Sequence, residues 1–158
     1  MLRISKLTDY GTVVLAQLAV NDGHVCSAAD VSTATGVALP TVSKLLKSLA
    51  RAGLVTSTRG AHGGYELARN PRDISAADVI HALEGPVSIT ECSASESHCD
   101  FESICNVGGA WQRISVAIRD ALDEVSLVDL SQTKNPLPRF HFAGLPVYLE
   151  NSAAKKPD

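Results

Sequence analysis

At 158 residues, 45% apolar but only 4% aromatic, the chain suits one domain around an aliphatic core, which argues against a disordered chain or a disulfide-stapled mini-protein. Its net charge of −3 conceals a split. Residues 1–72 carry eight Lys/Arg against four Asp/Glu and residues 73–158 carry six against thirteen, so nucleic-acid contact is expected of the first part alone.

The longest apolar-rich run, Thr12 to Val20, contains Gln17 and falls far short of the roughly 20 residues that a membrane span needs. Asp9 before it and Asn21-Asp22-Gly23 after it do not fit a cleaved leader. No membrane partner is expected, and free thiols in a polar segment imply a reducing cytoplasm.

Residues 8–20 are predicted to form a first helix, capped by Thr8 or Asp9, with Val13, Val14, Leu15, Leu18 and Ala19 on its apolar face. Cys26 has apolar neighbours and reads as a core thiol beside the cap Ser27. A second helix spans Ala28 to Thr35 and stops at Gly36. After a turn at Val37-Ala38-Leu39, Pro40 opens a third helix over Thr41–Arg51. Val42, Leu45, Leu46 and Leu49 fall on one face of it, and Thr41, Ser43, Lys44, Lys47, Ser48 and Arg51 on the other. Two short helices, a tight turn and a basic outer face predict a helix-turn-helix.

Two predicted strands follow, Leu54 to Thr58 and Tyr65 to Ala68, joined by Arg59-Gly60-Ala61-His62-Gly63-Gly64. A glycine-rich hairpin tip carrying Arg and His directly after a helix-turn-helix reads as a wing. Glycine lets the backbone approach a duplex, and Arg59 can enter a narrow minor groove. His62 can reach a phosphate or cap the turn.

Ser75 and Asp78 have capping-box spacing and open a helix bearing Val79, Ile80 and Leu83 inward, with His81 on its surface. Gly85-Pro86 ends it. From Ala110 to about Leu130 a long helix is predicted. Trp111, Ile114, Ile118, Ala121, Leu122 and Val125 step by three and four residues along it, a seam for a second copy of the chain or for docking on the first helix. Pro136 and Pro138 prevent continuation, Phe140, Phe142, Leu145, Val147 and Tyr148 can pack locally or form a short strand, and residues 151–158 read as a disordered end.

Between these helices lies ECSASESHCDFESICN, with Cys92, Cys99 and Cys105 spaced C-x6-C-x5-C. It has neither strand nor helix periodicity, so it lacks an apolar face that would order it. Three thiols in such a loop point to a metal or an iron–sulfur cluster. A zinc site is the weaker fit, because zinc ligands usually come as C-x2-4-C pairs and none occurs here. No nucleophile–base pair appears, and the run Gly60 to Gly64 lacks the Lys-Ser/Thr of a phosphate loop, so an enzyme is not expected.

The opening RISKLTDYG, the wing RGAHGGYEL, the three-cysteine loop and GGAW at Gly108–Trp111 together resemble the bacterial iron–sulfur winged-helix transcription regulators of the IscR, NsrR and SUF-system-regulator type, over about residues 1–130. The resemblance implies a mainly α fold with a small β-hairpin wing: a winged helix-turn-helix over 1–85, a cluster loop over 86–107, a dimerisation helix over 108–130 and a tail over 131–158. It also implies homodimers on double-stranded operator DNA and a [2Fe–2S] or [4Fe–4S] cluster on Cys92, Cys99 and Cys105. Two features depart from the IscR type. The first cysteine gap is one residue longer, and Val107 stands where that type has a histidine ligand. Asp9 in LTDYG matches the cross-subunit aspartate of the NsrR type and becomes the expected fourth ligand; His98, Glu96 and Asp100 are local alternatives.

The implied function is cluster-dependent regulation, as a repressor, of iron–sulfur assembly genes of the SUF type. Nitric-oxide or redox sensing is the alternative, and an iron–sulfur carrier without a DNA role is the rival from another class. Lys44, Lys47 and Arg51 are expected on phosphates, Thr41 and Ser43 on base edges, and Arg59, with His62 nearby, at the wing.

Overall fold

The computed structural model describes residues 4–21, 23–60, 63–90, 107–131, 140–142 and 145–147. The first helix, α1, spans Lys6–Val20 and starts two residues earlier than expected. Its cap is Ser5, whose Oγ accepts from the N–H groups of Leu7 and Thr8 at 3.2 and 3.3 Å. Neither Thr8 nor Asp9 caps it: Thr8 is buried inside the first turn and Asp9 lies exposed beside it. Helix α2 spans Ala28–Thr35 as expected, with a Ser27–Asp30 capping box and Gly36 closing it at φ +71°. Helix α3 runs Leu39–Arg51, so Leu39 belongs to the helix and Pro40 is its second residue. Proline costs nothing there, since first-turn N–H groups have no partner inside the helix.

Strands β1 (Val55–Thr58) and β2 (Gly64–Leu67) pair antiparallel, with Val55 opposite Leu67 and Thr58 opposite Gly64. Cys26 extends this ribbon: its N–H donates to the Tyr65 carbonyl at 2.9 Å and its carbonyl accepts from the Tyr65 N–H at 2.8 Å. Cys26 is half-buried against the core, as a structural thiol would be. A 3-10 turn at Pro71–Asp73 leads into α4 (Ala76–Glu84), which has the expected Ser75–Asp78 capping box.

The long helix expected over Ala110–Leu130 is two helices, α5 (Gly108–Asp123) and α6 (Leu127–Ser131). The break has a local cause and a tertiary one. Ser126 accepts from the Asp129 N–H at 3.2 Å and its own N–H donates to the Asp129 carboxylate at 3.0 Å, a second helix start inside the predicted one. Meanwhile Val125 accepts from the Ala76 N–H at 2.8 Å and Leu127 donates to the Ile74 carbonyl at 2.7 Å, which draws the chain back to the domain. Leu127 then inserts at 0% exposure, and α6 lies along α1. The Asp129 carboxyl is held below its ordinary value chiefly by the Ser126 hydroxyl, so this clip stabilises α6 above the ordinary carboxylate range and is lost as pH falls through the lowered value.

Val14, Leu15 and Leu18 of α1, Val31 of α2, and Val42, Leu45, Leu46 and Leu49 of α3 meet Leu54, Val55, Ile74, Val79 and Leu127 in one aliphatic core. Full burial of each leucine is worth roughly 1.5–3 kcal/mol. Gly11 sits where α1 crosses α4; a Cβ there would fall 2.3 Å from Leu83 Cδ1, so the Leu83 side chain would have to shift to admit one. Strands β3 (Phe140–Phe142) and β4 (Leu145–Val147) pair antiparallel where local packing or a short strand was expected, and β3 lies beside α5. Among the described residues no helix is long and apolar enough to cross a membrane. The fold is a winged helix-turn-helix, mainly helical, with β1–β2 as its wing.

Candidate nucleic-acid interface

Burying Val42, Leu45, Leu46 and Leu49 fixes the rotation of α3, and that rotation decides what faces solvent. Lys44, Lys47 and Arg51 lie at i, i+3 and i+7 and are all exposed, a single cationic stripe. Thr41 and Ser43 are half-buried at the N-terminal end of the same helix. Arg59 is exposed just past β1, at the wing. None of these four cations is held in an ion pair with a described residue; the pair found among the described residues is Arg69–Asp78, at 3.3 Å. Cationic side chains left uncommitted on one helix and the adjoining wing suit a polyanion.

The wing needs its glycines. Gly60 sits at φ +117°, and the Gly63 N–H donates to the Gly60 carbonyl at 3.0 Å. A Cβ on Gly63 would meet the Thr58 carbonyl oxygen at 2.3 Å, and one on Gly64 the Cys26 carbonyl oxygen at 2.5 Å. Both obstacles are backbone, so any side chain would open the ribbon. His62 lies outside the described residues.

A second feature was not legible in the sequence. Ser5 donates its backbone N–H to Glu84 Oε1 at 3.1 Å, and the buried Thr8 hydroxyl donates to the same oxygen. The Thr8 hydroxyl, with help from Ser5, holds the Glu84 carboxyl below the usual glutamate range. Glu84 is the last residue of α4, and Gly85 follows it at φ +96°. The start of α1 is therefore clasped to the point where the chain leaves α4 toward the cysteine segment. Seventy-six residues separate Thr8 from Glu84, and no local pattern announces the pairing.

Asp9 is exposed next to that clasp and lines a cleft of about 680 Å³ with Lys6, Thr12, Ile80, Leu122 and Val125. Cys92, Cys99 and Cys105 lie outside the described residues, as do the alternative ligands Glu96, His98 and Asp100. The donor chemistry of the chain fits an iron–sulfur cluster: three thiols in one segment, and a carboxylate in Asp9 that no described side chain engages. Val107, at the place of the IscR-type histidine, is exposed beside α5 and offers no ligand atom. On α5, Trp111 and Ile114 are 39% and 37% exposed, whereas Ile118, Ala121 and Leu122 are half-buried and Ser115 is buried, accepting from the Ile89 N–H at 3.3 Å.

Residues 4–133 match the model of a family described as Rrf2, iron-dependent transcriptional regulator. The chain is 30% identical over 139 residues to the protein rrf2 of Nitratidesulfovibrio vulgaris, covering 87% of this chain and 93% of that one. Among solved structures it is similar to CymR, the global cysteine regulator of B. subtilis, with 34% identity and a TM-score of 0.63, covering 83% of this chain and 97% of that one. It is also similar to T. potens IscR, with 33% identity and a TM-score of 0.59, covering 82% and 85% of the two chains.

Proposed function

The chain belongs to the Rrf2 family of transcriptional regulators, and from that premise we propose that it is an iron–sulfur-dependent repressor binding operator DNA as a homodimer, with SUF-type assembly genes as its targets. The observation that carries the DNA-binding half is the stripe of Lys44, Lys47 and Arg51 on α3, exposed and unpaired with described residues, next to Arg59 at the wing. In this reading those cations meet phosphates and set the register. Thr41 and Ser43 meet base edges in the major groove, Arg59 reaches the minor groove, and His62 meets a phosphate.

Cys92, Cys99 and Cys105 would hold the cluster as thiolates, with Asp9 as an oxygen ligand given across the dimer. When bound, the cluster supplies sensitivity to iron supply and oxidants. The chain's own contribution is mechanical. The Ser5–Thr8–Glu84 clasp ties α1, with Asp9, to the root of the cysteine segment, while Trp111 and Ile114 offer α5 an apolar face for a second copy. We place the division into a DNA-binding unit, cluster loop, dimerisation helix and tail at the boundaries read from the sequence. A cytoplasmic location goes with this reading.

The match of Asp9 to the NsrR type favours a second reading, nitric-oxide or redox sensing with the same DNA-binding half. The likeness to CymR is as strong as that to IscR, so fold alone does not choose the signal. An iron–sulfur carrier would leave the cationic stripe without a purpose.

Lys44→Ala tests the DNA assignment. It is expected to weaken binding to specific and random duplexes alike and to flatten the slope of log affinity against log salt by about one. Unchanged affinity and slope would remove Lys44 from the interface.

A further inference from the structure

The N-terminal end of α3 is built differently from its body. The helix starts at Leu39 and its N-cap is Ala38, which makes no side-chain cap hydrogen bond. Leu39 lies three residues before Val42 and seven before Leu46, on the line of the buried stripe. It extends that stripe one turn past the point where the chain covers it. Val42, Leu45, Leu46 and Leu49 are 0% exposed, whereas Leu39 is 45% exposed. Ala38 and Pro40 on either side are exposed too. A solvated leucine is ordinary in itself. What singles this one out is its place, because the first residues of a recognition helix are the ones that approach base edges.

An apolar tip cannot read hydrogen-bond donors or acceptors. The major groove presents one apolar group, the 5-methyl of thymine. We propose that Leu39 is a specificity-determining residue that packs against a thymine 5-methyl group in each operator half-site. Leu39 supplies shape and apolar contact, while Lys44, Lys47 and Arg51 supply the sequence-independent attraction. The assignment rests on the reading of α3 as the recognition helix.

The test uses duplexes that the full-length protein itself enriches from a random pool. Each thymine of the enriched half-site is replaced singly by deoxyuridine, which removes the methyl group and nothing else. Wild-type affinity is expected to fall about fourfold at one position, the size of one buried methyl, and Leu39→Ala is expected to bind the thymine and uracil duplexes equally there with its salt slope unchanged. A half-site without thymine, a wild-type protein indifferent to every replacement, or a Leu39→Ala variant that keeps the thymine preference overturns the assignment. The deoxyuridine series needs no variant, so it stands even where Leu39→Ala folds poorly. If the protein enriches no sequence at all, the recognition-helix reading itself fails and this assignment falls with it.

Discussion

Cys99→Ala is expected to give a colourless, iron-free protein when purified anaerobically, with the helical fold retained. Cys99 is the middle thiol of C-x6-C-x5-C, and the aliphatic core of the described residues is drawn from α1, α2, α3, β1, α4, α6 and the turns beside them. Loss of one of three thiolates leaves too few soft ligands for a cluster. Cys26→Ala is the control. Cys26 is bonded to Tyr65 through its backbone and packs against the core, so its substitution is expected to leave colour and iron content unchanged. Absorption spectra with iron and sulfide analysis read both outcomes, and circular dichroism reads the fold. A fully coloured Cys99→Ala protein would show that the thiols of this segment do not hold the cluster.

Leu127→Ala is expected to destabilise the protein by about 2–5 kcal/mol, the range for truncating a fully buried leucine. Leu127 is 0% exposed, and in the sequence it falls within the predicted helix but outside its seam of Trp111, Ile114, Ile118, Ala121, Leu122 and Val125. Leu130, four residues from the start of α6's capping box, is 41% exposed, and Leu130→Ala is expected to cost less than about 1 kcal/mol. Denaturant unfolding at fixed protein concentration compares the two. Equal and small effects would mean that α6 is not anchored on α1.

What could be read ahead of the structure was what is written locally. Ser27 with Gly36, Ser75 with Asp78, and the leucines of α3 each carry their signal within one or two turns, and the wing announces itself by glycines between two short strand-like runs. The misses are tertiary. The apolar steps Leu122 and Val125 continue a helical seam on paper, but Val125 and Leu127 give their backbone groups to Ala76 and Ile74 respectively, far earlier in the chain, and the helix breaks there. Thr8 looked like a cap and is instead the buried half of a contact with Glu84. Of the expected site, the structure brings Lys44, Lys47 and Arg51 onto one face of α3, with Thr41 and Ser43 at its N-terminal end, and leaves Arg59 exposed at the wing. Cys92, Cys99, Cys105 and His62 carry chemistry that is legible by residue type alone.

Sensing and DNA binding are joined in one chain only if the state of the cysteine segment alters operator affinity. The most direct measurement is binding of the anaerobically purified protein to its enriched duplex, before and after exposure to oxidant and an iron chelator. The expected result is a change in affinity on the order of tenfold, within the usual span of allosteric coupling, that follows the loss of visible absorbance. Protein that is colourless from the outset and holds the duplex equally tightly under both conditions would contradict it.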